Sequence, residues 1–150
     1  MDIVEGVVGG SVGGLVVLLL CVVGFIASIA TNVEFRRASG SFLCKPGSKV
    51  DCLRVYAMPQ AWVLGFHLSQ LAPLYFSLVL LLAVLAVVFK LTPALKLLAF
   101  LSLECSILAP YMIYLMVRHA GAVCVYCLTM HAVSILVTLL TYRVIVGALT

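Results

Sequence analysis

The run Leu78-Val79-Leu80-Leu81-Leu82-Ala83-Val84-Leu85-Ala86-Val87-Val88-Phe89 carries no charged or polar side chain, and a mainly apolar stretch extends it back to Leu68. About 20 such residues cross the roughly 30 Å hydrocarbon layer of a bilayer as a helix. Three more runs of this kind read at 8–32, 94–117 and 121–146, the first with Leu15 to Cys21 unbroken. The chain of 150 residues is 65% hydrophobic and 9% charged, too little polar surface to wrap a water-soluble globule and too apolar for disorder. The expected fold is therefore an all-α integral membrane protein: a single domain over 1–150, a four-transmembrane-helix bundle with a long loop at 33–67 between helices 1 and 2.

The second and third spans are joined by Lys90-Leu91-Thr92-Pro93, and proline at a helix start is tolerated because its missing N–H has no partner there anyway. A tight hairpin follows. Asp2 and Glu5 stand where a cleavable signal carries positive charge, so the first helix is expected to be retained. Gly9, Gly10, Gly13 and Gly14 form two overlapping GxxxG spacings, which suit close helix packing or simple tolerance of small residues in lipid. Nine Lys plus Arg against five Asp plus Glu give a net charge of +4. It is scattered among loops, with neither a stripe for nucleic acid nor a polybasic tail.

Polar chemistry concentrates in the loop 33–67, with Glu34, Arg36, Arg37, Lys45, Lys49, Asp51 and Arg54. Its second half, Val55 to Phe66, mixes Tyr56, Met58, Trp62 and Phe66 and is expected to lie in the headgroup layer. Six cysteines stand at 21, 44, 52, 105, 124 and 127. Four crossings put the loop and the link near 118–121 on one face of the membrane. Cys44 and Cys52 lie in the loop, and Cys124 and Cys127 open the fourth helix, so topology alone gathers the two pairs.

Cys124-Val125-Tyr126-Cys127 sets two sulfurs on one helical face at a helix N-terminus, where the dipole favours the reactive thiolate. Between Cys44 and Cys52 stands Lys45-Pro46-Gly47-Ser48-Lys49-Val50-Asp51, a turn-forming stretch whose two lysines also favour thiolate. A metal site is not expected, since seven intervening residues exceed the usual zinc spacing. Covalent haem requires His after the CxxC, and Leu128 is there. Static structural disulfides are the competing reading of the same four residues.

This arrangement resembles the vitamin K epoxide reductase family, in which four helices carry a loop cysteine pair after the first helix and a CxxC opening the fourth. The resemblance covers Cys44 and Cys52, Leu64-Gly65-Phe66-His67-Leu68-Ser69 entering helix 2, the stretch Tyr111 to Tyr114, and Cys124-Val125-Tyr126-Cys127-Leu128. Disulfide-forming membrane protein B has the reverse cysteine order and fits less well. The resemblance implies a quinone-dependent thiol–disulfide oxidoreductase, a prokaryotic member that promotes protein disulfide formation. In it Cys44 meets a thioredoxin-like CxxC partner, Cys52 exchanges with Cys124, and Cys127 faces a ubiquinone- or menaquinone-type quinone. His131, four residues after Cys127 and so on the same helical face, is placed to hydrogen-bond a quinone carbonyl. The family usually has serine six residues after the second loop cysteine, but Met58 occupies that place. His67, Ser69 and Gln70 near the mouth of helix 2 are the candidate replacements for cofactor binding.

Glu104 lies mid-span in helix 3, where an ionisable group is a functional candidate by default. Counting back from Arg118 puts it about 21 Å from the active face, so it is expected to be protonated and hydrogen-bonded between helices. Cys21 and Cys105 read as small packing residues. The rival from another class is a small proton-coupled transporter using Glu104 and His131, with structural disulfides. A third reading is an interaction protein stapled by disulfides, without turnover.

Six basic residues fall on the active face (Arg36, Arg37, Lys45, Lys49, Arg54, Arg118) and three on the other (Lys90, Lys96, Arg143). Positive charge stays cytoplasmic, so the active face of this multi-pass protein of the cell membrane is expected inside. That is inverted relative to the family's usual exterior side, and it suits a cell whose intracellular proteins are rich in disulfides.

Overall fold

The computed structural model describes residues 11–39, 41 and 43–149. Helix α1 spans Ser11–Arg37, a short α2 Cys52–Tyr56, α3 Leu68–Val87, α4 Thr92–Leu115 and α5 Val125–Leu149. A two-stranded hairpin, β1 Trp62–Val63 and β2 Phe66–His67, precedes α3. Gly9 and Gly10, half of the GxxxG spacings, and the first residues of the 8–32 span lie outside the described residues, as do Asp2 and Glu5.

Four helices are long and apolar enough to cross a membrane: Val12–Arg37, Leu68–Val87, Thr92–Ala120 and Val125–Gly147. No more than 33% of any span is buried within the protein. The outward faces, with Leu15, Leu74, Ile107 and Leu139 exposed, therefore require lipid as their solvent. Within the bundle α1 and α4 each pack on both α3 and α5, so the helices form a ring in the order α1, α3, α4, α5.

Local chemistry sets the helix ends. Lys90 takes a left-handed φ of 53° while the Leu91 N–H donates to the Leu85 carbonyl at 3.2 Å, which closes α3 and turns the chain into α4. The expected tight hairpin is present. Beyond α4 the chain widens into a π turn at Met116–Ala120 and stops at Gly121, where φ is 61°. Here the fourth helix departs from the expected start at 121. A left-handed glycine ends one helix, and the next begins only at Val125.

The segment 55–66 also departs from expectation. Val55, Tyr56, Met58 and Ala61 are buried, while Ala57, Pro59, Gln60 and the continuous Trp62–Phe66 stretch are exposed, the last turning at Leu64 and Gly65 with left-handed φ at both. The difference arises because α2 folds its apolar face under the loop rather than onto the headgroups.

Two packed cores result. One lies along the spans and includes Val17, Cys21, Phe76, Leu98 and Val137. The other sits at the loop end and includes Cys44, Cys52, Val55, Tyr56, Met116 and Cys124. Helices α1 and α3 meet closely at Gly24, where a Cβ would stand 2.5 Å from Phe76 Cε1 and 3.1 Å from Val133 Cγ1. Gly24→Ala is expected to overpack this contact at a cost of about 1–3 kcal/mol, read as a lowered thermal midpoint in detergent.

Candidate active site at the loop rim of the bundle

Cys44 and Cys52 form a disulfide with Cα atoms 5.5 Å apart, and both are buried. The turn between them is held by Asp51, the N-cap of α2. Its carboxylate accepts from the Arg54 N–H at 3.1 Å and from the Gly47 N–H at 2.8 Å. The Gly47 amide, with help from Arg54, holds the Asp51 carboxyl below its ordinary 3.8, so the tie is complete above that pH and is lost as pH falls through the lower folded value.

Two contacts fasten this loop to the start of α5. The Val123 N–H donates to the Lys49 carbonyl at 2.9 Å. The Ser41 hydroxyl accepts from the Cys44 N–H at 3.3 Å and lies 3.4 Å from the Tyr126 hydroxyl. The two cysteine pairs are thereby gathered at one rim.

Cys124 immediately precedes α5 and caps it with sulfur, since the Cys127 N–H donates to Cys124 Sγ at 3.4 Å. Cys124 and Cys127 are both free thiols, the first buried and the second half-buried. The Cys127 thiol, joined by the Tyr56 hydroxyl and the first amides of α5, brings the Cys124 thiol down to about 7 against the opposing effect of burial. The Tyr56 hydroxyl lies 3.5 Å from Cys124 Sγ. Burial, with the Cys124 sulfur beside it, raises the phenol well above its ordinary range, so it stays protonated.

Below the sulfurs a cavity of about 360 Å³ opens between the helices. Its wall includes Thr31 of α1, Tyr56 and Met58 of the loop, Ser69 and Tyr75 of α3, Glu104, Cys105 and Met112 of α4, and Cys127, Met130 and His131 of α5. Cys127 and His131 share it, as their spacing on one helical face requires. His131 Nδ1 lies 3.9 Å from Cys105 Sγ.

His67 and Ser69 also line the cavity, but their hydrogen bonds are spent on the fold. His67 Nε2 is 3.0 Å from the Tyr56 carbonyl, which only accepts, so Nε2 carries the proton and Nδ1 accepts. It accepts from the Ser69 N–H at 3.1 Å and from the Ser69 hydroxyl at 2.6 Å. Burial lowers the His67 pKa and keeps the ring neutral. Gln70 is not on the cavity wall; its Oε1 accepts from the His67 N–H at 3.4 Å, completing a capping box for α3. Phe35 stacks on the His67 ring with centroids 4.0 Å apart.

Three residues have places the sequence reading did not give them. Tyr56 stands four residues after Cys52 on the same face of α2, a spacing that contained the signal. Cys105 reaches the cavity instead of merely filling space. Glu104 is exposed on the cavity wall and makes no hydrogen bond or ion pair among the described residues, where a bond between helices was expected. The cavity runs some three turns down α4 from Met116, about 18 Å, which is why depth did not separate Glu104 from the site.

The Cys124 thiol of the reduced protein is expected to alkylate with a midpoint near the value of about 7 that its neighbours impose. Cys127→Ala should raise that midpoint by about one pH unit as one donor to the thiolate is lost, read from iodoacetamide rates by peptide mass spectrometry.

Among the described residues no three His, Cys, Asp or Glu side chains gather as a metal site requires. No curated protein matches the chain significantly. The family model for the vitamin K epoxide reductase family matches residues 15–142, from the first span to the last. With its four apolar helices, a loop cysteine pair and a CxxC capping the last helix at the same rim, the chain belongs to the vitamin K epoxide reductase family, membrane oxidoreductases of thiol–disulfide chemistry.

Proposed function

We propose that the protein passes electrons from a thioredoxin-like CxxC partner through Cys44–Cys52 and then Cys124–Cys127 to a membrane quinone of ubiquinone or menaquinone type, promoting disulfide formation in its partners. The observation that carries this reading is the burial of Cys44, Cys52 and Cys124 in one cluster while Cys127 opens onto the cavity.

The partner's thiolate attacks Cys44, and the resulting mixed disulfide is resolved by the partner's second thiol, leaving Cys44 and Cys52 reduced. Cys52 thiolate then attacks the sulfur of Cys124 in a Cys124–Cys127 disulfide. The Cys52–Cys124 bond forms, and the electron pair of the broken bond leaves on Cys127, which takes a proton. Cys44 thiolate attacks Cys52, re-forms Cys44–Cys52 and expels Cys124. The loop pair loses two electrons and the CxxC gains two.

The cavity fits a quinone ring. At about 360 Å³ it has the size of a small-molecule site, and its wall is mainly apolar. When bound, the quinone supplies a two-electron, two-proton acceptor. Thr31 donates to the Ala27 carbonyl, Tyr75 to the Leu101 carbonyl, and His67 and Ser69 are committed to the cap. His131 keeps Nε2 without a partner among the described residues and is the imidazole that can hold a carbonyl beside Cys127. Met58 and Met112 line the rest with soft apolar surface that excludes water.

Purified protein mixed with a reduced thioredoxin-like protein and ubiquinone or menaquinone is expected to bleach quinone absorbance, with turnover lost on substitution at any of the four cysteines. Cys44→Ser is expected to accumulate a covalent Cys52–Cys124 bridge. Turnover that survives loss of Cys127 overturns the relay and favours the transporter with structural disulfides.

The same reading places the active face in the cytoplasm, on the strength of six basic residues against three. Single-cysteine variants of loop 33–67 in intact cells should resist an impermeant maleimide; labelling reverses the orientation.

A further inference from the structure

Tyr56 sits where the parts of the proposed relay meet. It is four residues from Cys52 on α2, its hydroxyl is 3.5 Å from Cys124 Sγ, and it borders the cavity that Cys127 enters. Its ring is fixed from two sides by edge contacts with Phe35 and His67, at centroid distances of 6.1 and 5.9 Å. The carbonyl of the same residue receives the His67 Nε2–H, so backbone and ring are both anchored. A buried phenol held this way keeps its hydroxyl oxygen in one place beside Cys124.

We propose that Tyr56 is a positioning residue for the sulfur exchange, its hydroxyl holding Cys124 as a thiolate when that sulfur is expelled from the Cys52–Cys124 bridge. This rests on the relay proposed above and names the group that governs its second exchange. When Cys44 thiolate attacks Cys52, the Cys44–Cys52 bond forms, the Cys52–Cys124 bond breaks, and its electron pair goes to Cys124. A thiolate only accepts, so the phenol must donate to it. Leaving sulfurs of lower proton affinity depart faster, so the hydrogen bond drives the bridge toward re-formed Cys44–Cys52.

Cys127 faces Cys124 from α5, and His67 faces Tyr56 from the hairpin, held neutral by burial. In the reduced protein the thiols of Cys44 and of Cys52 on α2 belong to the same buried cluster. The contacts from α1 are Phe35 and Thr31, which do not titrate. Removing only the Tyr56 hydroxyl leaves all of these groups in place, so a change in the Cys124 titration reports the hydrogen bond itself.

Tyr56→Phe keeps the ring and its edge contacts and removes only the donor. In the reduced full-length protein the pH midpoint of Cys124 alkylation should rise by about one unit. With a reduced partner, the Cys52–Cys124 bridge should resolve about threefold more slowly and be visible without a trapping mutation. A fluorinated tyrosine at position 56, the same shape with a stronger donor, should keep the midpoint low and resolution fast. An unchanged midpoint in Tyr56→Phe, with Cys44→Ser still accumulating the bridge, overturns the role of Tyr56 and leaves the relay standing. Absence of the bridge in Cys44→Ser overturns the relay, whatever the midpoint does.

Discussion

A helix that enters the bilayer must satisfy its first amides before water is left behind, because an unpaired N–H in hydrocarbon costs several kcal/mol, roughly. In α5 part of that obligation falls on a sulfur. Cys124 accepts the Cys127 N–H as an N-cap, a place usually held by Ser, Thr, Asp or Asn. The same atom thereby sits on the positive end of the helix dipole, next to a second thiol and a buried phenol. Capping and redox poise are one arrangement here. The helix could not begin there without the donors that draw the thiol toward its anion.

Everything else at the rim supports that sulfur. The π turn and Gly121 stop α4 early and leave Ala122 to Cys124 non-helical, which lets Val123 reach Lys49. Asp51 keeps the turn between Cys44 and Cys52 folded and starts α2, and α2 carries Tyr56 to Cys124. His67 caps α3 and braces Tyr56 from below, with Gln70 and Ser69 completing the network. Polar residues near the mouth of α3 are thus committed to architecture, whereas His131 and Glu104 deeper on the cavity wall are not.

The four spans were legible because the bilayer imposes length and polarity so strongly that a run such as Leu78–Phe89 has few other readings. The cysteine pairs were legible through topology and spacing. What the sequence obscured had local causes. The run from Gly121 onward is apolar, and apolarity does not register the left-handed glycine that delays α5 to Val125. Burial of Tyr56 and Met58 is hidden because an aromatic-rich loop has the same sequence whether it lies on headgroups or folds beneath itself. Depth along one helix does not locate Glu104, because the cavity is shared among four and follows α4 down from Met116. Hydrogen-bond commitments such as those of His67 depend on tautomer and neighbours, which no spacing rule encodes.

The bond from Val123 to Lys49 joins the middle of one cysteine loop to the residue before the other pair's first sulfur, and neither partner is a cysteine. Sulfurs tethered in this way meet at the effective concentration of an intramolecular reaction rather than by diffusion. The proposed exchange between them is accordingly first order, with a rate indifferent to how sparsely the protein is distributed in its membrane.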